Sequence, residues 1–151
     1  MVKGLSGGCL CGAVRYRLSR LPDEAGYCHC RMCQRASGSP VMAFGTVPLG
    51  ALDLTSAALR KRRSSDIAER WFCSECGTPI AIHADYQLDT VDIALATFDH
   101  PEVVVPGFHI WTDRRIAWFD TVDDCPRYAA FRPETRGEPG EATAIDAKDQ
   151  R

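Results

Sequence analysis

The residues best suited to chemistry in this chain are its eight cysteines, because seven of them fall into three tight groups. The groups are Cys9 with Cys11, then Cys28, Cys30 and Cys33, then Cys73 with Cys76; Cys125 stands alone. Cys73-Ser74-Glu75-Cys76-Gly77 is a C-x-x-C followed by glycine, the pattern of a zinc knuckle. The chain turns so that both sulfurs reach one ion, and the glycine takes the left-handed backbone the turn needs. Cys9-Leu10-Cys11-Gly12 offers the same ending on a shorter spacing. A disulfide within C-x-C would close a small, strained ring. Two such pairs, distant in sequence, can instead supply the four thiolates of a closed tetrahedral site. The spacing predicts a structural zinc held by Cys9, Cys11, Cys73 and Cys76.

The middle group reads Cys28-His29-Cys30-Arg31-Met32-Cys33-Gln34-Arg35. Three thiolates can hold one zinc and leave its fourth position open, which is the mark of a catalytic rather than a structural site. A soft metal with an open position suits a thiol substrate: binding it as thiolate gives a nucleophile at neutral pH. Other readings stay open at this level. A fourth ligand from His29, His83, His109 or Cys125 would make a second closed site, although C-H-C crowds His29 against its neighbours. The group could serve as a redox thiol, or its members could pair with Cys9 and Cys11 instead. Arg31 and Arg35 flank the cluster. A zinc with three thiolates carries a net charge of −1, and a bound thiolate makes it −2, so nearby guanidinium groups would offset that charge or hold substrate carboxylates. The plainer alternative is that both are ordinary surface arginines.

Composition narrows the classes. Eighteen Lys plus Arg against 20 Asp plus Glu give a formal charge of −2, without the basic excess of a general nucleic-acid binder. No apolar run approaches the roughly 20 residues that cross a bilayer. The first residues, Met1-Val2-Lys3-Gly4-Leu5, lack the apolar stretch of a secretory leader. Clustered cysteines in that setting point to a reducing compartment and metal binding, so a cytoplasmic location is expected.

The elements that must position the clusters read as short strands. Ala13 to Leu18 alternates at the strand period, and Val41 to Thr46, Ile67 to Phe72, Pro79 to His83 and Val91 to Ala96 are apolar runs separated by turn residues. Arg31 to Ala36 fits one helical turn ended by Gly38, presenting the cysteine cluster at its start. Arg60-Lys61-Arg62-Arg63 is the one dense basic run, read as a charged strand edge or as an attractor for an anionic thiol. His109 and Trp111 are expected to be packing residues, and Cys125 a free or buried thiol. Residues 1–132 are expected to form one zinc-binding domain. The stretch 133–151, rich in Pro, Gly and Glu, is expected to be a disordered tail.

Together these motifs resemble the glutathione-dependent formaldehyde-activating enzyme (Gfa) family, also called the CENP-V/GFA domain family. The matching segments are Gly7 to Tyr16, Cys28 to Gly38 and Phe72 to Pro79, with a weaker match at Pro106 to Trp111 and at Trp118 and Pro126. The resemblance implies a mostly β fold of the β-tent type, built of small stacked antiparallel sheets with few helical turns. It implies two zinc ions, one structural on Cys9, Cys11, Cys73 and Cys76 and one functional on Cys28, Cys30 and Cys33. It also implies a carbon–sulfur lyase that handles the adduct of glutathione with formaldehyde, with small-molecule thiol and aldehyde as partners and neither nucleic acid nor membrane. A different class is the alternative: a zinc module that binds a thiol or a protein partner without turnover.

Overall fold

A computed structural model describes residues 5–133, so the expected tail lies, apart from Pro133, outside the described residues. Its strands are β1 (Ser6–Gly8), β2 (Arg15–Leu18), β3 (Glu24–Cys28), β4 (Met42–Pro48), β5 (Leu52–Asp53), β6 (Leu59–Arg63), β7 (Ala68–Cys73), β8 (Pro79–Ala84), β9 (Thr90–Ala94) and β10 (His109–Ile110). One α-helix among the described residues, α1 (Arg31–Ser37), joins β3 to β4. The fold is mostly β, as the strand periods predict. β1, β2 and β5 form a three-stranded sheet, and the other strands form a seven-stranded sheet in the order β10-β3-β4-β9-β8-β7-β6. Only β10 against β3 runs parallel among the named pairs. No helix among the described residues is long and apolar enough to cross a membrane.

Alternation along the large sheet gives it two different faces. On one, Val47, Trp71, Cys73, Val91 and Ile93 pack with Tyr16 and Leu18 of the small sheet, with Val14 just before β2 and with Cys9. Val47, Val91 and Ile93 are wholly buried there, each contributing about 1.5–3 kcal/mol of apolar transfer. On the other face, Cys28, Met42, Phe44, Ala94 and Ile110 of the sheet pack with Cys33 of α1 and with Phe108 and Trp111, which flank β10. The two predicted cysteine sites therefore lie on opposite sides of one sheet.

The basic run Arg60-Lys61-Arg62-Arg63 falls on β6, the last strand in the order, so it is a charged sheet edge. Lys61 lies over the Trp71 ring, 3.9 Å from its centroid, and Arg63 pairs with Asp85. Arg60 and Arg62 alternate with these two and point to the face that carries Cys28. Arg62 pairs in register with Arg70, Arg70 with Ile82, Ile82 with Asp92, Asp92 with Thr46 and Thr46 with Glu24. One transverse row thus crosses six strands on the Cys28 face.

Candidate metal centres and the cavity beside the second cluster

The first cluster is assembled by two matching turns. Gly12 N donates to Cys9 O at 3.1 Å, and Gly77 N donates to Cys73 O at 2.9 Å. Gly12 and Gly77 have φ of 82° and 77°, the left-handed backbone expected of each knuckle. Leu10 N donates to Thr78 Oγ1 at 3.1 Å and ties one turn to the other. The sulfurs of Cys9, Cys11, Cys73 and Cys76 all lie within 4.8 Å of one another. Cys9 to Cys11 is 3.5 Å and Cys11 to Cys73 is 3.8 Å. Four sulfurs at the Zn–S length of about 2.3 Å on a tetrahedron would stand about 3.8 Å apart, so the set fits a metal ion and not a pair of disulfides.

The second cluster forms where β3 hands over to α1. Cys28 ends the strand, Cys30 is the helix N-cap, and Cys33 lies in the first turn, with Cys33 N donating to Cys30 Sγ at 3.3 Å. Gly38, φ 66°, closes the helix by donating its N–H to Gln34 O. All three sulfurs are buried and lie within 4.8 Å of one another. They too fit one ion. The candidate fourth ligands go elsewhere. His29 Nε2 meets His109 Nδ1 at 2.9 Å, and His109 Nε2 meets Asp123 Oδ2 at 3.1 Å. His83 lies on the opposite face, tilted against Trp71, with Nε2 3.1 Å from Leu88 O. Cys125 stands with His109 and Asp123 in a separate group, where Arg127 Nη2 lies 3.5 Å from Asp123 and opposes a further cation.

The His29–His109–Asp123 chain fixes the segment between two of the sulfurs. Burial holds His29 down to about 4, so it is neutral at physiological pH. Its Nδ1 has no hydrogen-bond partner among the described residues. If His29 donates from Nε2 and His109 donates to Asp123, that Nδ1 carries a bare lone pair, which is the less costly orphan. Gln34 Nε2 adds a second tie, donating to His29 O at 2.7 Å and to Arg114 O at 3.1 Å.

Cys28, Cys30 and Cys33 line a cavity of about 70 Å³ whose other walls are mainly Met42, Phe44, Ile82, Ile110, Trp111 and Phe131. Trp111 sits there with φ 57°, a conformation costing an L-residue about 1–2 kcal/mol. Its backbone N–H donates to Ala130 O at 3.1 Å, and Phe131 meets its ring edge-on at 5.2 Å. It is a packing residue, as expected, and part of the cavity wall.

Besides Tyr86, an arginine and an aspartate line this cavity, and the sequence reading singled out neither. Arg70 Nη2 lies 3.6 Å from Cys33 Sγ. Hydrogen bonds from Cys28 and Cys30, together with the Arg70 charge, push the Cys33 thiol well down. Asp92 is the other. Arg31 and Arg35 do not line the cavity: Arg31 donates to Gln34 Oε1 within its own helix, and Arg35 sits exposed in the last turn. The guanidinium beside the cluster comes from β7. A signal existed for Asp92, the single charge of β9, where a charge among apolar residues needs a reason; Arg70 follows Glu69 in β7 and stands out less.

Comparisons with known proteins bear on the family and the fold. The family model described as glutathione-dependent formaldehyde-activating enzyme matches residues 4–114. An uncharacterized lyase of Schizosaccharomyces pombe is 34% identical over 74 residues, 49% of this chain and 53% of that protein. The chain thus spans about half the length of that relative. A crystal structure of a Rhodobacter sphaeroides protein superposes with a TM-score of 0.55 at 21% identity, covering 81% of this chain and 98% of that one, and shows the same fold.

Proposed function

Since this chain belongs to the glutathione-dependent formaldehyde-activating enzyme family, we propose that it is a zinc-dependent carbon–sulfur lyase. Its reaction joins a thiol, glutathione by family, to a small aldehyde such as formaldehyde, and splits the adduct in reverse. The observation that carries this reading is the second cluster. Three buried sulfurs converge, no other His, Cys, Asp or Glu among the described residues joins them, and the open side faces a cavity. The relative named as a lyase supports the reaction class.

A zinc ion held there would supply Lewis acidity, lowering the pKa of a bound thiol toward neutrality. The chain supplies the rest. Arg70 offsets the charge that accumulates when a further thiolate joins three cysteine sulfurs. The apolar walls keep water from competing for the aldehyde. A cavity of about 70 Å³ has room for the reacting sulfur and a small carbonyl, so the remainder of a tripeptide thiol would extend through the mouth.

The test is turnover of glutathione and formaldehyde compared with the spontaneous reaction in the same buffer. We expect catalysis that Cys30→Ser abolishes while the fold is kept. Glutathione binding without any gain over the spontaneous rate would instead favour a non-catalytic thiol-binding module.

A further inference from the structure

Asp92 is the acidic side chain in the wall of the cysteine cavity, and it also borders a second cavity of about 40 Å³ lined by Glu24 and Arg132. Its environment is unusual for a partly buried carboxylate. Thr46 Oγ1 donates to Oδ1 at 2.6 Å and Gln87 Nε2 donates to Oδ2 at 3.0 Å. No cation pairs with it among the described residues: Arg70 is directed to Cys33, and Arg132 is held by Glu24. Two neutral donors use about half of the lone-pair sites of a carboxylate and leave room for a proton. The charged and titratable groups around it are Glu24 on β3, Arg70 on β7, the cluster thiols of Cys28, Cys30 and Cys33, Tyr86, and Arg132 in the wall of the second cavity. Burial, with smaller contributions from Glu24 and Cys33, pushes its pKa up to about 6. That value suits a group that must both take and give a proton near neutral pH.

Resting on the lyase reading above, we propose that Asp92 is the acid–base residue of that reaction. Its carboxylate takes the proton of the incoming thiol. The thiolate sulfur then bonds to the carbonyl carbon, and the C=O π pair moves onto oxygen. Asp92, now a carboxylic acid, returns the same proton to that oxygen, giving the hemithioacetal. In the lyase direction the carboxylate takes the hydroxyl proton, the C–S bond breaks, and the proton goes to sulfur. Every proton and electron is accounted for, with no added oxidant, reductant or acid.

The experiment uses zinc-loaded full-length protein and glutathione alone. Calorimetry in two buffers of different ionisation enthalpy, at pH 7, counts the protons released per thiol bound. Asp92→Asn is expected to release about one proton, and the wild type measurably less, because the charge of the arriving thiolate raises Asp92 further and it keeps part of that proton. Asp92→Ala serves as the second variant should Asn disturb packing. Equal release from wild type and variants overturns the proposal. Turnover is then measured with formaldehyde, where Asp92→Asn should lose at least about a hundredfold in kcat with glutathione affinity kept. Proton retention without catalysis above the spontaneous rate would uphold Asp92 as the proton acceptor and sink the lyase reading. Catalysis that survives Asp92→Asn within about threefold would leave the lyase reading standing and overturn the role of Asp92.

Discussion

Arg70 and Asp92 face one cavity from strands two apart, with Ile82 between them in the same register row. Two strand spacings separate their Cα atoms by roughly 10 Å. Arg70 is directed toward Cys33 Sγ, and Asp92 toward Thr46 and Gln87, so the two charges serve different ends of the cavity. The cationic end lies beside the sulfurs, and the proton-carrying end lies across Ile82.

The two clusters should separate by mutation. Wild-type protein is expected to hold two zinc ions per chain, and Cys30→Ser and Cys73→Ser one each, by elemental analysis of reduced protein. Cys73 is wholly buried in the core between the sheets, so its variant should also lose cooperative thermal unfolding. Cys30→Ser should keep it. Two ions retained in Cys30→Ser would show that the middle cluster is not a zinc site.

Arg70→Met keeps the length of the side chain and removes the charge next to Cys33. Loss of such an outer partner typically costs about 10–100-fold in metal affinity. Competition with a chelator should therefore strip one zinc from Arg70→Met faster than from wild type, with the other ion unaffected. Identical stripping curves would mean that Arg70 does not support the cluster.

Arg62 projects from the edge strand on the cavity face, next to Arg70. Substitution by alanine should weaken glutathione binding about two- to fivefold at low salt, in line with about 0.2–1 kcal/mol for an exposed charge pair. The difference should fade at high ionic strength. Lys61→Ala, on the opposite face against Trp71, should leave affinity unchanged. If both variants bind alike, the basic run acts only as an edge guard.

Asp92 also predicts a pH signature in stability. Its folded pKa of about 6 lies above the ordinary 3.8, so between those values the folded chain binds more protons than the unfolded one. Stability therefore falls as pH rises through that window and levels off above pH 6. Asp92→Asn removes this dependence. Its stability relative to wild type should grow by about 2–3 kcal/mol between pH 4 and pH 7, read from denaturant melts at each pH. A constant difference would show that Asp92 is not held protonated by its surroundings.

Much of this was legible along the chain. The knuckles could be read because Gly12 and Gly77 sit where a left-handed turn must sit, β2 because its residues alternate at the strand period, and β4, β7, β8 and β9 because they are short apolar runs between turn residues. β3 was not. Glu-Ala-Gly-Tyr-Cys has neither alternation nor β-branched residues, and it becomes a strand because β4 and β10 pair with it. Its tertiary pairing overrides a weak local preference.

The sequence by itself determined which sulfurs could share an ion, since spacing within a turn is a local property of the backbone. It also determined that short strands would carry them. Only the tertiary structure decided that the two clusters fall on opposite faces of one sheet. It alone decided that His29 turns to His109 instead of the cluster. The same holds for Arg70, which takes the place expected of Arg31 and Arg35, and for Asp92 across the cavity. The physical reason is strand register. Residues far apart in sequence become neighbours only when a specific pairing aligns their rows, and a shift of one position would send each of those side chains to the other face.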